Sequence, residues 1–224
     1  MFSFKTRSSR YVRVVVIVCA LWGAAIAPAA EESRPGVDEK GFVSLFDGKD
    51  FSGWEGDFKL WRGEKGMIVG DSPGIKRNEF LATRKEYGDF ELRLEFRLHE
   101  GRGNSGIQFR SRRVSGSSAV EGYQADIGEM YWGCLYDEHR RRKTLVQAPV
   151  KLSEVLKKDG WNQYVIRAVS NRITQKINGL TTVEYAEKDD TIPRTGIIAL
   201  QIHSGPKMRV DFRNLRIRVL DKEK

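Results

Sequence analysis

From residue 42 onward, apolar residues recur at every second position in short runs that are cut by turn-forming clusters. Alternation with a period of two is the signature of a strand with one face on a core and the other toward solvent. It is clearest from Asp89 to Leu98, where Phe90, Leu92, Leu94, Phe96 and Leu98 face one way and Glu91, Arg93, Glu95 and Arg97 the other. Shorter runs, Phe42 to Phe46, Gly66 to Val69 and Phe80 to Thr83, are separated by Asp47-Gly48-Lys49-Asp50 and Asp71-Ser72-Pro73-Gly74. The pattern returns from Tyr164 to Val169 and Ile173 to Ile177, followed by Asn178-Gly179, a pair that tolerates the positive φ of a two-residue hairpin. From Met208 to Leu220 the alternation changes phase at Asn214, which predicts a bulge. Only Ser153 to Lys158 reads as helix, with Ser153 as its cap. Many strands and almost no helix predict an all-β fold, a two-sheet antiparallel β-sandwich of the jelly-roll kind.

The first 41 residues break this pattern. Lys5, Arg7, Arg10 and Arg13, with no acid among them, precede an apolar stretch from Val14 to Ile26 and the small-x-small sequence Ala27-Pro28-Ala29. That order is a secretory signal, and the apolar run is shorter than the roughly 20 residues a bilayer span needs. We expect a signal over 1–29, a linker over 30–41, one sandwich domain over 42–221, and a periplasmic or secreted protein with no stable membrane span after cleavage. Removing four bases with the signal takes the formal charge from +9 to +5, a modest excess that argues only weakly for a polyanionic partner. Cys19 leaves with the signal, so Cys134 remains alone and no internal disulfide forms.

Several strands carry unusual residues on their polar side. Asn104 to Arg110 places Gly106, Gln108 and Arg110 opposite Ile107 and Phe109. Gly122 to Ile127 offers Gln124 and Asp126, Ala199 to His203 offers Gln201 and His203, and Glu95 adds a further acid. If these strands share a sheet, the groups converge. Amides, acids and a guanidinium suit sugar hydroxyls, and rings such as Tyr123, Tyr131, Trp132 and Tyr136 suit the apolar faces of pyranoses. Gln124-Ala125-Asp126-Ile127-Gly128-Glu129 resembles the Glu-x-Asp-x-x-Glu motif of laminarinase-type glucanases, but Gln124 stands where their nucleophile would be. Retaining hydrolysis needs two carboxyl groups about 5 to 5.5 Å apart, one of them nucleophilic, so it is disfavoured here.

An ordered set of segments spans nearly all of the chain after the signal: Phe42 to Trp54, Phe80 to Thr83, Tyr87 to Leu92, Asn104 to Ile107 with Phe109-Arg110, Gly122-Tyr123, Trp161-Asn162, Ile177-Asn178-Gly179, Gly196 to His203 and Phe212-Arg213-Asn214. This set resembles the 3-keto-disaccharide hydrolase domain family. The resemblance implies a concanavalin A-like jelly roll and cleavage of glycosides already oxidised to a ketone at carbon 3. Such a ketone acidifies the hydrogen at carbon 2, so a base can remove it and the enolate can expel the group at carbon 1, with water adding afterwards. That route needs a base, a stabiliser for the enolate oxygen and an acid for the leaving oxygen.

His203 is then the expected base, or the ligand of a divalent metal that polarises the ketone, with Glu95 as the alternative. Arg110 is expected at the enolate oxygen, and Asp126 or Glu129 at the leaving group. Gln108, Gln124 and Gln201 are expected to hold hydroxyls, Tyr123, Trp132 and Tyr136 to pack on sugar rings, and Asp137 and Arg140 to line the rim. The sequence departs from the commoner family wording at Gln124-Ala125-Asp126, where many members have Glu-x-Gln after the tyrosine, and in the basic segment Arg140 to Lys143. Three classes stay open: an enzyme on 3-keto-glycosides, a glycan-binding module without chemistry, and an interaction domain using the basic segment. The expected partner is a carbohydrate, with nucleic acid disfavoured by export. No cofactor is demanded. A divalent metal ion is left open, because His99, His139 and His203 are too widely spaced to form a ligand motif.

Overall fold

The chain divides into Met1–Asp38 and Glu39–Lys224, and the computed structural model describes residues 40–220 of the second unit together with Met1. The expected signal, Cys19 and the linker up to residue 39 lie outside the described residues. In chain order the strands are β1 (Val43–Ser44), β2 (Trp54–Glu55), β3 (Trp61–Glu64), β4 (Met67–Ile75), β5 (Glu79–Thr83), β6 (Phe90–Leu98), β7 (Asn104–Arg113) and β8 (Val120–Gly128). There follow β9 (Leu135–Glu138), β10 (Lys143–Val146), β11 (Asn162–Val169), β12 (Arg172–Ile177), β13 (Leu180–Ala186), β14 (Ile197–Ile202) and β15 (Gly205–Val219).

One sheet runs β13-β12-β11-β6-β15-β4-β3, with β1 also paired to β15, and the other runs β10-β9-β8-β7-β14-β5-β2. Each strand pairing is antiparallel. The predicted two-sheet sandwich is therefore the fold. Its main core lies between the sheets, where Phe90, Leu92, Leu94, Phe96 and Leu98 of β6 meet Ile107, Phe109, Tyr123, Ala125 and Leu200 of the second sheet. Phe96 is fully buried, and truncating such a ring to alanine costs about 3 to 5 kcal/mol.

The cluster Asp71-Ser72-Pro73-Gly74, read from the sequence as a turn, instead lies inside β4 and pairs with β15; β3 reaches only to Gly70, so Pro73 sits on a free edge where a missing N–H is tolerated. Local geometry does follow the sequence at the predicted hairpin and the predicted bulge. Asn178 and Gly179 take φ of 49° and 85° and join Ile177 to its partner Leu180, the geometry a two-residue hairpin requires. The β15 bulge falls between Arg213 and Arg216, with Asn214 at φ 54°. The helix is one turn, Leu152–Val155, and Lys151 occupies its N-cap. Ser153 is therefore inside it, its hydroxyl donating backward to the Val150 carbonyl at 2.9 Å.

Candidate functional site

The second sheet carries the site on the face turned away from the main core. Alternation along β7, β8, β9 and β14 sends Ile107, Tyr123, Ala125, Leu135 and Leu200 inward, which leaves Gly106, Gln108, Gln124, Asp126, Tyr136, Glu138 and Gln201 on the opposite face. Cross-strand register sets them in rows. Gln201 lies beside Gly106 and Gly106 beside Asp126, while Ala199, Gln108, Gln124 and Tyr136 form the neighbouring row. The ladder continues one step past β14, where the His203 amide donates to the Asn104 carbonyl at 3.3 Å. Gly106 is required by close approach: a Cβ there would stand 2.7 Å from the Gln124 side chain, which lies over it.

These residues enclose a cleft of about 170 Å3 lined by Asn104, Gln124, Asp126, Tyr131, Tyr136, Glu138 and His203. His203 Nδ1 sits 2.7 Å from the Ser204 carbonyl. Because a carbonyl only accepts, Nδ1 holds a proton, and in the neutral ring Nε2 carries the lone pair. Nε2 makes no hydrogen bond among the described residues.

Burial raises the Asp126 carboxyl well above the usual carboxylate range; a hydrogen bond from Gln124 opposes this and nearby Glu138 reinforces it. Burial likewise raises Glu138, against the pull of His139, His203 and Arg142. Tyr136 is raised by burial and by the two acids, so its hydroxyl remains a donor. The Asn104 Oδ1 atom and both amide atoms of Gln201 are buried without a hydrogen-bond partner. A buried amide left so is costly; Asn104 lines the cleft, where a polar ligand would satisfy it, whereas Gln201 lies fully buried behind the lining.

Five residues singled out from the sequence thus line the cleft: His203, Asp126, Gln124, Tyr131 and Tyr136. Gln201 shares their face. Gln108 does too, but the Gln108 and Gln124 amides are both spent within the face, Gln108 donating to Gln124 Oε1 at 2.6 Å and Gln124 donating to Asp126 Oδ1 at 2.6 Å, so neither is placed to hold sugar hydroxyls as expected.

Others stand elsewhere. Arg110 does not continue the face of Gly106 and Gln108, because the β7 register slips between Phe109 and Arg112 and Arg110 takes φ 46°. Its guanidinium is buried against Asp89 at 2.8 Å and the carbonyls of Ser170 and Gly88. Glu95 belongs to β6 of the other sheet, on the face away from the core, where Arg213 and Asn214 hold it at 2.7 and 2.9 Å. Glu129 is exposed on the turn after β8.

Tyr123 and Asp137 point inward. The Tyr123 hydroxyl donates to Glu187 at 2.5 Å, Arg141 bridges Glu187 and Asp137, and Arg140 lies over the Tyr123 ring while bonding Asp137 at 3.0 Å. These five residues tie β8 and β9 to the end of β13 rather than lining a rim. Trp132 stacks on Phe96, 6.3 Å between centroids, at the core edge.

Glu138 and Asn104 were missed as site residues. The alternation of Leu135 and Asp137 against Tyr136 and Glu138 marks β9 and could have found Glu138, but the segment reads as a charged loop. Among the described residues no three His, Cys, Asp or Glu side chains come together as a metal-ligand set.

A jelly roll with acids, amides and an imidazole gathered on one sheet face is a scaffold suited to a polyhydroxylated ligand. The family model described as the 3-keto-alpha-glucoside-1,2-lyase-like domain matches residues 41–218, and the chain belongs to that family. A 90-residue stretch is 32% identical to a 3-keto-disaccharide hydrolase of Bacteroides thetaiotaomicron, covering 35% of this chain and 30% of the relative, so the match spans under a third of that protein. Among solved structures the fold is similar to a protein of Parabacteroides distasonis provisionally named a glycosyl hydrolase, with TM-score 0.62, 21% identity, and 81% and 94% of the two chains covered. It is also similar to the carbohydrate-binding module CBM66 of Bacillus subtilis, with TM-score 0.58, 15% identity, and 74% and 95% covered. At these identities the likeness is one of fold.

Proposed function

We propose that this chain, acting after export, cleaves 3-keto-glycosides by base-assisted elimination followed by hydration. The observation that carries the reading is a pairing within one cleft: an imidazole whose Nε2 makes no hydrogen bond among the described residues, and a carboxyl group that burial raises well above the usual carboxylate range. His203 Nε2 takes the proton from carbon 2, leaving an enolate with its charge on the carbon 3 oxygen. The enolate collapses to a double bond between carbons 1 and 2 as the bond from carbon 1 to the leaving oxygen breaks. Asp126 gives that oxygen its proton. Water then adds to carbon 1, returning a proton to Asp126, and carbon 2 recovers one from His203.

With Arg110 committed to Asp89, the donors near the enolate oxygen are the hydroxyls of Tyr131 and Tyr136 and the amide of Asn104. Glu138, beside His203, supports the imidazolium that forms. No step here passes through a metal ion.

Turnover in heavy water tests the route. Elimination and rehydration place deuterium at carbon 2 of the product, whereas direct displacement at carbon 1 leaves that hydrogen in place. A binding module without chemistry is the second reading, favoured by the fold likeness to CBM66; sugar binding with no deuterium exchange at carbon 2 would establish it.

A further inference from the structure

Behind the cleft runs a directional chain of hydrogen bonds along one sheet face. Gln108 Nε2 donates to Gln124 Oε1 at 2.6 Å and Gln124 Nε2 to Asp126 Oδ1 at 2.6 Å, while the Ser111 hydroxyl lies 2.9 Å from both Gln108 Oε1 and the Phe109 carbonyl and shares its one proton between them. Ser111, Gln108, Gln124 and Asp126 are all at most 3% exposed, so water does not compete for these bonds. An amide has one donor end and one acceptor end, and fixing either end fixes the other. We propose that Gln108 and Gln124 are positioning residues that hold an N–H on Asp126 Oδ1 and so confine the exchangeable proton to Oδ2. This deepens the function proposed above and rests on its assignment of Asp126 as the acid.

The consequence is chemical. When Oδ2 gives up its proton, negative charge appears on the carboxylate, and the Gln124 N–H already points at it. A donor in place before the charge develops needs no reorganisation. It also keeps the acid strong enough to act. Burial and Glu138 both hold the proton on Asp126, and the Gln124 hydrogen bond is what opposes them. Gln108 does not line the cleft, so its part is to stop the Gln124 amide from turning round. The titratable groups around Asp126 are Glu138 and Tyr136 of β9, Cys134 just before that strand, Tyr131, Tyr164 of the facing sheet, and His203.

The test follows the Asp126 carboxyl itself by carbon-13 NMR across pH, in the wild type, Gln124→Met and Gln108→Met. Both variants keep side-chain length, and Gln108→Met leaves every residue of the cleft in place. The expected result is an upward move of the Asp126 titration in both variants, larger for Gln124→Met. The alkaline limb of the pH–rate profile should rise with it, and kcat for a poor alkoxide leaving group should fall about tenfold. A titration unmoved in folded Gln108→Met protein overturns the relay. The NMR readout needs no turnover, so a wild type inactive on 3-keto-glycosides would sink the proposed function while the titration still decides the relay.

Discussion

His203 Nδ1 lies 2.7 Å from the carbonyl oxygen of Ser204, the next residue in the chain. That contact fixes the tautomer and leaves Nε2 as the basic nitrogen of the cleft. A variant that keeps the shape but not the base should therefore fail at chemistry alone. His203→Gln is expected to lower kcat on a 3-keto-glucoside by about 10²-fold or more, with an unchanged circular dichroism spectrum and melting temperature. Retained turnover removes His203 from the role.

The leaving-group role of Asp126 makes its loss depend on what departs. Asp126→Asn should slow release of an alkyl alcohol or a second sugar by about 10²-fold, yet barely affect 4-nitrophenolate, which leaves without a proton. Equal losses on both substrates would assign Asp126 to binding instead.

Gln201 is buried with both amide atoms unpartnered, an arrangement that costs stability unless a ligand pays it back. Gln201→Leu should hold or raise the melting temperature and leave both KM and kcat little changed, because Gln201 does not line the cleft. A raised KM would instead show that the Gln201 amide reaches the sugar.

Arg110 and Asp89 are 2.8 Å apart with side-chain exposures of 2% and 11%. Removing one partner strands a buried charge, so Arg110→Ala should cost about 3 kcal/mol, read from urea unfolding. The fraction that remains folded should turn over normally.

Glu187 supplies the acid sensitivity. Burial alone would raise its carboxyl, but hydrogen bonds from Arg141, Tyr123, the Asp189 backbone and Tyr185 outweigh burial and hold it at about 2, against an ordinary 4.5. A carboxyl depressed in the folded state stabilises above its unfolded value, and that contribution disappears as pH falls from 4.5 toward 2. It amounts to about 2 kcal/mol after allowance for solvent screening. Glu187→Gln should lose this at neutral pH and show a flatter stability profile through the same window.

Period-two alternation made the fold legible: Phe90 to Leu98 reads directly as β6, and Asn178-Gly179 and Asn214 announce a hairpin and a bulge that both occur. The same rule places Gln124, Asp126 and Gln201 together. It breaks at Arg110, where a bulge turns the chain without any glycine or proline to signal it. Tyr123 and Asp137 sit at inward positions of their strands, and their polar ends are satisfied there by Glu187, Arg140 and Arg141, partners distant in sequence or hidden in a basic run. Glu95 shows a different limit. Its strand is plain in the sequence, but which sheet β6 joins depends on pairing with β11 and β15, and alternation says nothing of that.

The most direct measurement is cleavage of a 3-keto-glucoside beside its unoxidised parent by the same protein. Elimination needs the ketone, so the keto sugar alone should be cleaved, with deuterium entering carbon 2 in heavy water. Cleavage of the parent at a comparable rate, or binding of both sugars with turnover of neither, would contradict the account.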